Sequence, residues 1–323
     1  MIDSKVEISF LMPAKNASLY MDEAIESIRN QTKKSWELII IEDHSNDDTY
    51  DIAKRAAKND QRISVYTNDG HGQSRALNHG YKFSNGKVIK FVDADDILHK
   101  ECVDQTLRHE FDVACHNHYV VTNFNSGAMS EVQPNKVFLN SDFEFCLKYM
   151  MGITRWSFVI KRDIADKIFP IPDGLEQADS WISLAIKRFV KHIFHIDRPL
   201  YYYRQHSSQT FGGIYNFDEK IVDFRSKRKL ASLKVLKTQS KRLAYPIDEM
   251  DRLTAQFEIY LTLMIQENTT IVEIFKSDLP PKLKFKLLGI KKIPKSVSSF
   301  KVFQHYQAEK IRKIQNFVKF KKV

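Results

Sequence analysis

The chain has 323 residues, 43% hydrophobic and 28% charged, with 10 Gly and 9 Pro, which excludes the disordered, collagenous and disulfide-stapled classes. Three cysteines, Cys102, Cys115 and Cys146, are too few and odd in number for a secreted disulfide framework and favour a reducing compartment. The net charge of +10 is unevenly placed: residues 280–323 hold 13 Lys/Arg against Glu309 alone, while the other 279 residues hold 37 against 39 acids.

The body is therefore near neutral, and the excess belongs to a C-terminal segment that suggests its own partner. The opening MIDSKVEISFLMP has no basic region ahead of a long apolar core, so no signal peptide is expected. No apolar run reaches the roughly 18 residues of a membrane span. These features predict a cytoplasmic protein.

The first ~100 residues alternate strand and helix. Val6–Met12 reads as a short strand ending at Pro13, followed by a helix with Met21, Ala24, Ile25 and Ile28 at i, i+3, i+4, i+7 spacing. Trp36–Ile41 reads as a buried strand and Arg62–Tyr66 as another, with a polar helix to about Lys58 between them. Gly72–Phe83 is helical, and Lys87–Val92 is a fourth strand running into Asp93-Ala94-Asp95-Asp96. Such alternation implies parallel βαβ units with helices on both sheet faces.

Beyond residue 110 the rhythm changes. Asp112–Thr122 and Arg155–Lys161 read as strands around a helix at Asp142–Met150. Gly174–Val190 reads as a helix, and His192–Ile196 and Leu200–Arg204 as two short strands. From Phe217 the pattern is helical, Asp218–Ser240 and then Asp248–Phe275. The expected organisation is an α/β domain over 1–216, a helical appendage over 217–279 and a basic tail over 280–323. In the tail, Phe300, Phe303, Tyr306, Ile311, Ile314, Phe317 and Val318 share one side of a helical wheel, opposite Lys301, Arg312 and Lys319. Such a helix suits an anionic membrane surface, or equally packs its stripe on the body.

Ligands in parallel α/β sheets gather at the carboxyl ends of the strands. Three such ends carry unusual polar groups: Pro13-Ala14-Lys15-Asn16, Glu42-Asp43 and Asp93-Ala94-Asp95-Asp96. Neither G-x-G-x-x-G nor G-x-x-x-x-G-K-[ST] is present, so the glycine cradles of dehydrogenases and P-loop enzymes are absent. Clustered carboxylates repel unless a cation neutralises them, and hard oxygen ligands suit Mg²⁺ or Mn²⁺, which can also bridge a diphosphate. The plainer alternative is a solvated turn with Asp96 capping the next helix.

Together, ISFLMPAKNASLYMDEAIESIRNQTKKSWELIIIEDHSNDDT and GHGQSRALNHGYKFSNGKVIKFVDADDIL resemble the family 2 glycosyltransferases of the GT-A fold. Almost every element of the family pattern of P-x-Y-N, S-I-x-x-Q-T, D-D-x-S-x-D, G-x-x-x-A-x-N-x-G and D-A-D-D recurs in order over residues 6–98. A looser match covers LEQADSWISLAIKRF and YYYRQHSSQT. The resemblance implies an α/β GT-A fold, Rossmann-like, with a mixed, mainly parallel sheet flanked by helices and a C-terminal helical appendage.

It implies further that Pro13, Ala14 and Asn16 line the nucleoside pocket and that Asp43 accepts from a uracil ring or ribose. Arg75 would approach the base or diphosphate, Asp93 and Ala94 the donor, with Asp93 on ribose or metal. Asp95 would ligate Mn²⁺ or Mg²⁺, with His206 a further ligand or a plain surface histidine. Asp179 would be the general base, although Ala178 replaces the preceding Glu of the family's E-D pair and Glu176 is a rival. Other departures are Lys15 for Tyr, Glu42 for the first Asp, and Leu77 for an Arg that Arg75 could replace. The implied activity is inverting, metal-dependent sugar transfer from a nucleotide-sugar, most simply a UDP-sugar. The acceptor would be a glycan or a lipid-linked molecule of bacterial surface polysaccharide synthesis, such as capsule or lipopolysaccharide, at the inner face of the plasma membrane. A silent scaffold of the same fold and a nucleic-acid-binding protein using the basic tail are the other readings; the terminal position of the charge argues against nucleic acid.

Overall fold

The apolar runs of the first hundred residues fold where the periodicity places them. In the computed structural model, which describes residues 6–123, 128–175, 177–206, 219–266, 268–281, 283–284 and 287–288, the opening βα units are β1 (Ile8–Ala14), α1 (Met21–Arg29), β2 (Trp36–Glu42), α2 (Thr49–Asn59), β3 (Ile63–Thr67), α3 (Gln73–Phe83) and β4 (Val88–Phe91). All four predicted apolar positions of α1 are buried. β1 continues past Pro13, which the sequence reading took as its end, because Pro13 pairs with Ile41 of β2. On the other side, pairing with β4 stops at Leu11, so the proline falls where β1 has become an edge and proline is tolerated.

Two short elements follow, β5 (Ile97–Leu98) and α4 (Cys102–Leu107), then β6 (Val113–Asn123), β7 (Ala128–Val132), α5 (Lys136–Asn140) and α6 (Phe143–Tyr149). The stretch predicted as one strand from Arg155 instead begins with a single 3₁₀ turn, Arg155–Ser157, and only then becomes β8 (Phe158–Lys161). After α7 (Arg162–Ile168), α8 (Ala178–Phe189) starts four residues later than expected, which leaves Asp179 in its first turn. The two predicted strands at 192–204 are one, β9 (Phe194–Arg204). Its register against β6 shifts near Asn117, opposite Pro199; that irregularity accommodates the missing proline N–H.

The C-terminal helices are α9 (Glu219–Lys237), α10 (Ile247–Ile265) and α11 (Ile271–Lys276). A Thr270–Glu273 capping box starts α11, so the single helix expected over 248–275 is two. The amphipathic stripe predicted at 300–318 lies outside the described residues.

Among the described residues the sheet has nine strands in the order β3-β2-β1-β4-β8-β6-β9-β5, with β7 on β6. β3, β2, β1 and β4 are parallel, whereas β8 runs antiparallel to both β4 and β6. Ile8, Phe10 and Met12 pack in one core with Ala24, Ile25, Ile28, Leu38, Ile40, Ile52 and Ala53, which seats α1 and α2 on one face. On the other face, α3 approaches so closely that a Cβ on Gly80 would stand 3.1 Å from Ile41. The expected α/β architecture with helices on both faces is present.

Contacts divide the described residues into two compact units, one within 1–135, 152–173 and 178–209, the other within 136–151, 174–177 and 210–323. The first holds the sheet. In the second, α6 packs on α10, Phe143 meets Tyr245 edge-on at 5.1 Å, and Tyr260, Leu261, Ile274, Leu279 and Leu287 form a separate apolar cluster. All three cysteines are buried, with no disulfide among them. Among the described residues no helix is long and apolar enough to cross a membrane.

Candidate active site

In the order 3-2-1-4 successive strands are added outward from β1 in one direction and then, at β4, on its other side, so the loops leaving β1, β2 and β4 open onto the crevice where ligands collect in such sheets. The first two loops are laced together. Asp43 N donates to Ala14 O at 2.8 Å. Asn16 sits at φ +49°, a left-handed conformation that asparagine tolerates; its N donates to Ser45 Oγ at 3.0 Å and its Oδ1 accepts from Asn46 N at 2.9 Å. Asp47 accepts from Ser18 N and Thr49 N, each at 3.1 Å. Burial pushes its carboxyl up, but hydrogen bonds from Thr49 and Ser18 outweigh that and hold it at about 2. Glu42, the departure from the usual acid pair, turns inward and accepts from Ser45 N at 2.5 Å.

Asp43 is 5% exposed. It accepts from Asn68 Nδ2 at 2.6 Å and from Gly72 N, which lies 3.0 Å from each carboxylate oxygen. Lys15 Nζ stands 3.5 Å from Oδ2. A carboxylate offers about four acceptor positions, and here only the one facing the half-exposed Lys15 is easily vacated. For the same reason the Asp43–His44–His71 cluster is a poor cation cage: Asp43 is engaged by Asn68 and Gly72, and His44 Nε2 already lies 3.0 Å from Gly70 O. Arg75, in the first turn of α3, pairs with Asp173 at 3.3 Å, both side chains at least half exposed. Asn78 brackets Ile171, donating to its O at 2.8 Å and accepting from its N at 2.6 Å.

The β4 end is different. Carboxylate oxygens of Asp93, Asp95 and Asp96 lie within 4.8 Å of one another. Asp93 N donates to the Tyr201 hydroxyl at 2.9 Å. Contrary to the plainer reading, Asp96 is fully buried and does not cap the next helix; its Oδ1 accepts from Arg204 N at 2.8 Å and its Oδ2 has no protein partner. His206 Nε2 lies 3.1 Å from Asp95 Oδ2, with its ring 4.4 Å from that of Tyr20. Burial pushes Asp93 up to about 6; Arg155 opposes this, and the charges of Asp95 and Asp179 add to it. Burial, then Asp95 and Asp93, raise Asp96 well above the usual carboxylate range. Crowded carboxylates with an orphaned buried oxygen, beside one imidazole, are a donor set that fits Mg²⁺ or Mn²⁺.

The link to Asp179 is a residue to which the sequence reading gave no role. Arg155 is 4% exposed. One guanidinium nitrogen pairs with Asp93 Oδ1, while the other and the Arg155 backbone N each lie 3.3 Å from Asp179 Oδ1. Burial works against its charge, but Asp93 and Asp179 more than restore it. The only sequence signal was a lone cation heading the apolar run Trp156–Ile160. Beneath the site, Lys90 is fully buried on β4, its Nζ 2.7 Å from Trp156 O and 2.8 Å from His116 Nε2.

The structure thus gathers Asp93, Asp95 and His206 directly, and Asp179 through Arg155. Pro13, Ala14, Asn16 and Asp43 lie along the β1 and β2 ends, and Ala94 is buried between the two acids that flank it. Arg75 faces Asp173 rather than an acidic strand end. The rival Glu176 lies outside the described residues.

The family described as Glycosyl transferase family 2 matches residues 9–169. Two Bacillus subtilis proteins, both named provisionally as glycosyltransferases, are similar. EpsH is 29% identical over 212 residues, 62% of this chain and 61% of its own length. TuaG, named for teichuronic acid biosynthesis, is 31% identical over 116 residues, 36% of this chain and 46% of its own. The chain therefore spans about half to three-fifths of these relatives. A crystal structure of Staphylococcus aureus TarS 1-349 with UDP-GlcNAc shares the fold, with TM-score 0.54 and 15% identity over 88% of this chain and 87% of that one. Through residues 9–169, folded as a GT-A domain, the chain belongs to glycosyl transferase family 2.

Proposed function

We propose that this chain is an inverting glycosyltransferase that moves a sugar from a nucleotide-sugar, a UDP-sugar, to a hydroxyl of a glycan or lipid-linked acceptor in bacterial surface polysaccharide synthesis. The observation that carries this is Arg155, whose single guanidinium joins the acidic end of β4 to Asp179. A candidate cation site and a candidate base thereby share one pocket. TarS holding UDP-GlcNAc supports a UDP donor, and the name of TuaG supports a surface polymer as product.

In this reading Asp95, with Asp93 and His206, holds Mn²⁺ or Mg²⁺, which when bound supplies Lewis-acid stabilisation of the departing diphosphate. Asp179 takes the proton of the acceptor hydroxyl as that oxygen attacks the anomeric carbon. The carbon–oxygen bond to the diphosphate breaks in the same displacement, which inverts the configuration. Asp43 takes a base N–H in the position Lys15 occupies, while Asn68 and Gly72 keep the carboxylate oriented. Ala14 and Asn16 shape the nucleoside wall, and Arg75 leaves Asp173 for the base or diphosphate.

The test is a panel of UDP-sugars with Mn²⁺ or Mg²⁺ and a lipid-linked acceptor, read by product mass. Transfer that needs the cation supports the reading; transfer unaffected by chelation refutes the role of Asp95. A folded protein that binds no nucleotide-sugar refutes the enzyme reading in favour of a silent scaffold. Residues 280–323 are proposed to dock the chain on anionic lipid at the inner leaflet. Equal liposome binding by the full chain and a truncation at Pro280 would refute the docking.

A further inference from the structure

Arg155 does more than bridge two acids. Its guanidinium occupies Asp93 Oδ1, one of the two oxygens that carboxylate can offer a divalent cation, and at 4% exposure its charge is shielded from water. Its alternative partner is already in place: Asp179 Oδ1, 3.3 Å from both the guanidinium and the Arg155 backbone N. Without Arg155, Asp93, Asp95, Asp96 and Asp179 would face one another with no Lys or Arg side chain ion-paired to them among the described residues.

We propose that Arg155 is the resident counter-cation of the acidic pocket, pairing with Asp93 while no divalent cation is bound and with Asp179 alone once one is. The inference rests on reading Asp93 and Asp95 as cation ligands. Its physical content is competition: guanidinium and divalent cation contend for one carboxylate, so the protein alone binds the cation weakly. A nucleoside diphosphate, bringing its own anionic oxygens as ligands, tips the balance. Cation and donor therefore enter together, and the exchange turns Arg155 fully onto Asp179, holding that carboxylate in place for the acceptor. Arg155 acts here as a positioning residue.

The experiment measures Mn²⁺ binding to the full chain by electron paramagnetic resonance, with and without UDP, for the wild type, Arg155→Met and Arg155→Lys. The wild type is expected to bind weakly without UDP and tightly with it. Arg155→Met should bind Mn²⁺ without UDP about tenfold tighter or more, because a buried competing charge is gone, and so lose most of the UDP dependence. Arg155→Lys, which keeps the charge but cannot span both acids, should fall between. A merely structural arginine gives the opposite sign, since damage to the pocket weakens binding. Unchanged or weaker UDP-free binding in Arg155→Met, with near-UV circular dichroism showing a native fold, overturns the inference. If that variant does not fold, UDP-free binding by Arg155→Lys no tighter than wild type overturns it instead. If the wild type binds no Mn²⁺ even with UDP, the underlying cation reading fails, and the inference with it.

Discussion

Lys90→Met offers a test of the buried electrostatics under β4. The Lys90 ammonium has no exposure and two buried acceptors, Trp156 O at 2.7 Å and His116 Nε2 at 2.8 Å. Burial lowers it from 10.5 to about 8, with Cys102 working weakly the other way. Holding the charge at neutral pH therefore costs about 3 kcal/mol of stability. The methionine removes that cost but strands two acceptors, at about 1–3 kcal/mol each, so the net change near pH 7 is small or destabilising. The pH slope is the diagnostic quantity. Between pH 8 and 10.5 the unfolded chain keeps the lysine proton and the folded protein has released it, so the contribution of Lys90 to wild-type stability rises with pH in that window. Burial holds His116 well below its ordinary range, so it stays neutral and does not contribute. Urea unfolding of both proteins at about pH 7.5 and about pH 10 should show the wild type gaining about 2 kcal/mol on the variant. A difference that stays constant within about 0.5 kcal/mol refutes the reasoning.

Other consequences follow from packing and hydrogen bonding. Gly86→Ala should destabilise the protein by about 2 kcal/mol in urea, because the new Cβ would stand 2.5 Å from Ser9 N and 2.7 Å from Ile8 C; an unchanged midpoint contradicts this. Asn78→Ala removes both hydrogen bonds that fix Ile171, which should cost about 2 kcal/mol and speed exchange of the Ile171 amide; unchanged exchange contradicts it. Asp47 is held low, at about 2, so what it contributes is present above its unfolded value of 3.8 and lost as pH falls through about 2. Thermal melts of Asp47→Asn should accordingly lie below wild type at neutral pH and converge with it near pH 2; a gap that persists there contradicts the assignment.

What was legible in the sequence was local. The spacing of Met21, Ala24, Ile25 and Ile28 gave α1, and the apolar runs at 36–41 and 87–92 placed β2 and β4 with the acidic clusters at their ends. What was hidden depends on contacts distant in sequence. Arg155 meets Asp93 across 62 positions and Asp179 across 24, and Tyr201 reaches Asp93 N across 108; no periodicity encodes such pairings. Arg155–Lys161 has a strand-like composition throughout, so nothing local marks the 3₁₀ turn that presents Arg155. Likewise, Asp43 is recognisable from its motif, but its engagement by Asn68 and Gly72 is set only when the β3–α3 loop folds back onto β2. Pro199 falls in the gap between the two short strands read at 192–196 and 200–204, and only the register shift against β6 shows one strand carrying it.

The account turns on Asp179 as the base that activates the acceptor. The most direct measurement is steady-state transfer by Asp179→Asn with a UDP-sugar donor, saturating Mn²⁺ and acceptor, alongside UDP binding by calorimetry. The account predicts a loss of about 10²–10⁴ in kcat at saturating Mn²⁺ and donor, with UDP still bound, since Asp179 touches Arg155 and not the strand ends assigned to the nucleotide. Undiminished kcat would contradict it.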